Sequence, residues 1–133
     1  MKILFLCIEN AGRSQMAEGF AKTMASPGTE IYSAGSHPAQ KLNPVAVEAM
    51  KEKSIDISAQ SPKGLEALPE GVFDLVVGMG CGDVCPVHRA RRTLQWEIPN
   101  PKSQPIDTVR RIRDQIEANV RNLLSKDPGF PAS

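Results

Sequence analysis

Two periods of apolar spacing run along this chain and divide it into strands and helices. Residues 2–6, Lys2 followed by Ile3-Leu4-Phe5-Leu6, form a short β-rich apolar run of the kind that makes a buried strand. Residues 7–13 break the run with Asn10 and Gly12 and predict a loop. Beyond it Met16, Ala17, Phe20, Ala21 and Met24 recur at helical spacing, with Ser14 read as the N-cap and Pro27-Gly28 as the stop. Glu30 to Ala34, closed by Gly35, predicts a second strand. Asn43-Pro44 opens a helix running to about Lys53, and a short helix is expected over Lys63 to Leu68. Phe73 to Gly78 predicts a third strand, apolar enough to be covered on both faces, and Thr93 to Ile98 a fourth. Pro105 to Leu124 carries Val109, Ile112, Ile116, Val120 and Leu123 as the apolar stripe of a long amphipathic helix.

Strands that alternate with helices imply an α/β fold with a parallel sheet. The 133 residues suit one domain, expected over 1–126, with the Pro- and Gly-containing stretch 127–133 as a loose tail. Charge changes the picture by exclusion. Lys plus Arg number 16 and Asp plus Glu 15, a balance that argues against a nucleic-acid partner. No apolar run approaches the roughly 20 residues of a spanning helix, so no membrane partner is expected either. Met1 to Cys7 runs straight into Glu9-Asn10 with no small-residue cleavage site, which reads as a strand and not a signal peptide, and a cytoplasmic location is expected. Three cysteines without an export signal point away from a disulfide framework and towards reactive or metal-binding roles. Each is also compatible with burial as a small hydrophobe.

The stretch Cys7-Ile8-Glu9-Asn10-Ala11-Gly12-Arg13-Ser14 carries the chemistry. It leaves the carboxyl end of the first strand and opens a helix, where an open α/β sheet places its ligand. Five residues between Cys7 and Arg13 let the backbone curl into a cup of inward N–H groups, so Ile8, Glu9, Asn10, Ala11, Gly12 and Arg13 are the expected oxyanion-binding residues. Arg13 adds a bidentate fork for a phosphate-like group. The same field favours the thiolate form of Cys7, making it a nucleophile, with Ser14 placed to hydrogen-bond that thiolate.

Cys7 to Gly19, above all Arg13-Ser14-Gln15-Met16-Ala17-Glu18-Gly19, resembles the low-molecular-weight tyrosine phosphatase superfamily, and more narrowly its arsenate reductase branch. The likeness continues through Tyr32-Ser33-Ala34-Gly35, Ile55-Asp56-Ile57-Ser58, Met79-Gly80-Cys81-Gly82-Asp83 with Cys85-Pro86, Trp96-Glu97-Ile98-Pro99-Asn100-Pro101 and Val109-Arg110-Arg111-Ile112-Arg113. The fold implied is a single-domain four-stranded parallel sheet flanked by helices.

Cys81 and Cys85 lie four apart and share a face if Gly82-Asp83-Val84 forms a helical turn; a bridge between them needs Cα atoms within about 7 Å. With His88 they supply three metal ligands, but no second cluster completes a structural zinc site, so neither metal nor cofactor is expected. The resemblance implies a relay. Cys7 attacks arsenate, Cys81 attacks Cys7 to release arsenite, and Cys85 attacks Cys81 to leave a Cys81–Cys85 disulfide for a thioredoxin-like reductant. The rival is a phosphatase using Cys7 alone on phosphotyrosine or small phosphoesters. A further alternative is a non-catalytic oxyanion- or arsenic-binding protein.

Two departures from the family pattern stand out. An Asp general acid is the rule before the late Pro, but Asn100 stands there, and an amide donates no proton. General acid catalysis is typically worth about 10²–10⁴-fold, so phosphoester hydrolysis suffers more than reduction of the readily exchanging arsenate. Some reductases also hold potassium near the anion loop. Asn10, Glu18 and Ser33 match that site, while Lys63 replaces a carboxylate; either its ammonium takes the cation's place, or Glu18 is a first-turn helix acid and Lys63 a solvated surface residue. No tyrosine neighbours Asn100, which points to a small inorganic oxyanion (arsenate, phosphate or sulfate) as the ligand. His37, His88 and the basic run Arg89-Ala90-Arg91-Arg92 read as surface, Arg110, Arg111 and Arg113 as the exposed side of the last helix, and Trp96 as core.

Overall fold

The computed structural model describes residues 1–80 and 89–126; Cys81, Cys85, His88 and the expected tail at 127–133 lie outside the described residues. Strands β1 (Lys2–Cys7), β2 (Glu30–Gly35), β3 (Phe73–Gly78) and β4 (Ala90–Gln95) form one sheet. All its pairings are parallel, in the order β2-β1-β3-β4. Among the described residues, helices α1 (Arg13–Met24), α2 (Pro44–Lys51) and α3 (Ile106–Lys126) and a 3-10 turn at Leu65–Ala67 make up the other regular structure.

Side chains of β1 alternate between two cores, as the period of a strand requires. Ile3, Phe5 and Cys7 face the helices and pack with Met16, Phe20, Met50, Ile112, Ile116 and Val120. Leu4 and Leu6 face the other way, against Ala34, Phe73, Val76 and Leu68. The α3 stripe is buried as its periodicity predicts, and each such side chain contributes roughly 1.5–3 kcal/mol by leaving water. Asn43 caps α2 by accepting from Val45 N at 2.9 Å and Ala46 N at 3.3 Å, with Pro44 in the first turn.

Three expectations need correction. The fourth strand lies at Ala90–Gln95, not Thr93 to Ile98, because pairing with β3 sets Phe73 opposite Ala90 and Gly78 opposite Gln95. Three of the four residues of the surface run 89–92 therefore belong to an edge strand, whose exposed arginines suit an edge that must not pair with other chains. Arg89 before it is engaged with the fold, donating to Gly71 O at 3.1 Å with its guanidinium 5.1 Å from the Phe73 ring centroid. Ser14 is not an N-cap: α1 begins at Arg13 with Gly12 before it, and the buried Ser14 hydroxyl turns to the anion loop. Arg113 is buried, donating to Ala49 O at 2.9 Å and Glu52 Oε1 at 2.7 Å. Helical phase cannot separate an exposed arginine from one that reaches a neighbouring helix end. Trp96 is partly buried, its ring 5.9 Å from that of Phe5.

The carboxylate of Glu52, just past α2, is gripped by Arg110 (2.7 Å) and Arg113 (2.7 Å) from α3. Hydrogen bonds first from Arg110 and then from Arg113 lower its pKa from 4.5 to about 2. A carboxyl that is more acidic in the folded state stabilises the fold above its unfolded value, and that contribution disappears as pH falls through the folded value. Urea unfolding of wild type and Glu52→Gln should therefore differ at pH 6. The gap should narrow between pH 4.5 and about 2; a gap that stays constant over this range contradicts the assignment.

Candidate active site

In the order β2-β1-β3-β4, the chain leaves β1 to one side and returns to build β3 on the other. The carboxyl end of β1 thus lies at the switch point where such sheets bind ligands. Residues 7–12 connect that end to α1, and their carbonyls are all engaged. Cys7 O accepts from Ser36 N (3.2 Å), Ile8 O from His37 N (2.7 Å), Glu9 O from Ala39 N (2.9 Å) and Ala11 O from Asn43 N (2.9 Å). Asn10 O accepts from Gln15 Nε2 (3.0 Å) and Gly12 O from Met16 N (2.9 Å). A trans peptide points its N–H opposite its C=O, so an outer belt of carbonyl contacts turns the amide hydrogens of residues 8–12 inward. The first turn of α1, which holds no acidic residue, closes the cup with its own free N–H groups.

The loop fits only because its neighbour is small. A Cβ at Gly35 would lie 2.5 Å from Ile8 O and 2.8 Å from Asn10 N. Asn10 sits at φ 51, the left-handed region that Asn tolerates better than most residues. Its buried side chain ties the loop together: Nδ2 donates to Ser14 Oγ (2.7 Å) and Ser33 Oγ (3.0 Å), and Oδ1 accepts from Lys63 N (3.0 Å) and Gln15 Nε2 (2.8 Å).

Cys7 is 2% exposed, and its Sγ lies 2.8 Å from Ser14 Oγ. Arg13 is held by a hydrogen bond from Nη1 to Ile98 O at 3.1 Å and packs against Gly80. Gly80, at φ 104, is the last described residue before Cys81, and a Cβ there would come 2.7 Å from Arg13 Nη1.

A cavity of about 380 Å³ opens over Cys7 and Arg13, walled by Leu42, Val45 and Pro101 and carrying Lys41 and Lys102 at its sides. Among the described residues no aromatic side chain lines it. Asn100 is among its lining residues, exposed, with Oδ1 accepting from Lys102 N at 3.0 Å. Among the described residues Glu9 is the one carboxylate in its lining, and it pairs with Lys102 at 3.3 Å.

Glu18 is 4% exposed and accepts from Ser33 Oγ. Lys22 approaches one of its oxygens at 2.5 Å and Lys63 the other at 3.7 Å. Two ammonium groups already neutralise this carboxylate, so Asn10, Glu18 and Ser33 do not fit a potassium ion in this chain. Among the described residues no group of three or more His, Cys, Asp or Glu is arranged to hold a metal.

The structure thus brings Cys7, Arg13, Ser14, Asn100 and the loop Ile8 to Gly12 together, while Cys81 and Cys85 lie outside the described residues. Lys41, Lys102, Gln15 and Gly35 escaped the reading of the sequence. Only Gln15 left a signal there, a polar residue beside the helical face that Met16 and Phe20 bury. The cavity walls come from loops with no periodicity to read.

A match to the low molecular weight phosphotyrosine protein phosphatase family covers residues 2–127. The chain is 34% identical over 128 residues to a glutaredoxin arsenate reductase of Synechocystis sp., covering 94% of this chain and 97% of that one. A solved arsenate reductase in the phosphate binding state superposes with a TM-score of 0.82 at 34% identity, covering 92% of this chain and 95% of the other. The thioredoxin-dependent arsenate reductase of Corynebacterium glutamicum superposes with a TM-score of 0.75 at 35% identity, covering 92% of this chain and 59% of that one. Among the described residues no helix is long and apolar enough to cross a membrane. The chain belongs to the low molecular weight phosphotyrosine protein phosphatase family.

Proposed function

We propose that this protein is an arsenate reductase that binds arsenate in the loop from Cys7 to Arg13 and uses Cys7 as nucleophile. The observation that carries the reading is the belt of hydrogen bonds to the carbonyls of residues 7–12, which with the first turn of α1 and Arg13 surrounds a thiol in contact with Ser14. Its relatives named as arsenate reductases, matching along nearly the full chain, support the choice of arsenic over phosphorus.

The thiolate of Cys7 attacks arsenic, and an arsenate hydroxyl that takes a proton from solvent leaves as water, giving a sulfur–arsenic bond. Cys81 attacks Cys7 Sγ; the sulfur–arsenic bond breaks, its electron pair stays on arsenic, and arsenite departs from a Cys7–Cys81 disulfide. Cys85 attacks Cys81, returning the Cys7 thiolate and leaving a Cys81–Cys85 disulfide. A dithiol reductant of the thioredoxin type supplies the two electrons that reopen it, in keeping with the reducing cytoplasm where this chemistry belongs.

Arsenite formation from arsenate, measured with thioredoxin, thioredoxin reductase and NADPH, should be continuous for wild type. It should stop after at most one cycle for Cys81→Ser and Cys85→Ser and be absent for Cys7→Ser. Unimpaired turnover by either relay variant rejects the three-thiol scheme.

The cavity above Cys7 also has room for an organic phosphoester, the second reading, but Asn100 offers no proton to its leaving oxygen. Asn100→Asp should raise p-nitrophenyl phosphate hydrolysis by about 10²-fold or more while changing arsenate reduction far less. An equal effect on both reactions places the role of residue 100 elsewhere.

A further inference from the structure

Four hydrogen bonds run in one direction from the surface to the thiol of Cys7. Gln60 Nε2 donates to Gln15 Oε1 (2.6 Å), Gln15 Nε2 to Asn10 Oδ1 (2.8 Å), and Asn10 Nδ2 to Ser14 Oγ (2.7 Å). Ser14 Oγ then meets Cys7 Sγ at 2.8 Å. The direction follows from the chemistry of the groups. The backbone N–H of Lys63 can only donate, and it points at Asn10 Oδ1 at 3.0 Å, so that atom is the acceptor and the amide nitrogen faces Ser14. An amide nitrogen only donates, so Ser14 Oγ must accept from it and has its single hydrogen left for sulfur.

We infer that Gln15, braced by Gln60, is a positioning residue that locks the Asn10 amide so that the Ser14 hydroxyl is committed to the Cys7 thiolate. Gln15 is fully buried, and its amide also donates to Asn10 O (3.0 Å) and Ser61 O (3.0 Å), so its orientation is over-determined. If the Asn10 amide were reversed, Ser14 would donate to Asn10 and the thiolate would lose its hydroxyl partner. Ser33, which now accepts from Asn10 and donates to the buried Glu18, would lose its place as well. Gln60 lies 45 residues from Gln15 in the chain, so this connection exists only in the folded protein. The inference needs Cys7 as nucleophile, which the arsenate and phosphoester readings share, and it is independent of which oxyanion reacts.

The test is the pH–rate profile of iodoacetamide alkylation of Cys7 in the full chain carrying Cys81→Ser and Cys85→Ser, so that one thiol reacts. Neither Gln15→Met nor Gln60→Met alters the charged groups that line the cavity with Cys7, namely Glu9, Arg13, Lys41 and Lys102. Gln15→Met should displace the profile to higher pH by about one unit, since a hydrogen bond to a charged group is worth about that much, and Gln60→Met should move it the same way by less. Added to Ser14→Ala, Gln15→Met should produce little further displacement, because both act through one hydroxyl. A purely structural role lowers the melting temperature and leaves the profile in place, which overturns the inference, as does a full displacement in the Ser14→Ala background. Should Gln15→Met not fold, a Gln60→Met profile coincident with wild type overturns it equally. Alkylation does not require arsenate turnover, so failure of the reductase reading and failure of this inference are separately visible.

Discussion

A loop that offers its amide hydrogens to an anion must first dispose of its carbonyls, because buried polar groups left without partners are costly. Here residues 36–43 serve that purpose, drawing the carbonyls of Cys7, Ile8, Glu9 and Ala11 outward. The rest of the site depends on this belt. It needs β2 to end in glycine at position 35, so that Ile8 O and Asn10 N can come close. It needs Asn10 in the left-handed region, where the chain turns towards α1, and a set of fixed donors and acceptors around its amide to keep it there.

The electrostatics of the site follow from the same arrangement. Inward amides, the open end of α1 and Arg13 converge on one thiol, and the cavity adds Lys41 and Lys102 at its sides. Among the described lining residues the one carboxylate, Glu9, is offset by Lys102, and the buried Glu18 is offset by Lys22 and Lys63. The amide at position 100 offers no proton to an ester oxygen, and among the described residues no aromatic side chain walls the pocket. That combination suits a tetrahedral inorganic anion better than phosphotyrosine.

Which parts of this were legible beforehand depends on the range of the physics involved. Phe73–Gly78 was readable to the residue, and the α3 stripe position by position, because burial on a sheet or against a helix imposes a local period. Asn43-Pro44 announced α2 through local capping chemistry. The fourth strand was placed three residues late, since an exposed edge strand carries no apolar alternation and its position comes from register with β3. Ser14 was read both as a helix cap and as a partner of Cys7; α1 begins at Arg13, and the contact with Cys7 Sγ is the one that the fold keeps. Arg113 looked like surface until the end of α2 came within reach.

By itself, then, the sequence determined the parallel α/β class, the loop between the first strand and the first helix that carries Cys7 and Arg13, and the amide in place of an acid at position 100. All of these rest on local spacing or on residue identity. Tertiary structure decided which way the Asn10 amide points, what walls the cavity over Cys7, and which cations answer Glu18. Those features join residues up to some 90 positions apart, as Glu9 is from Lys102, and no local pattern along a chain records which distant groups its folding will bring into contact.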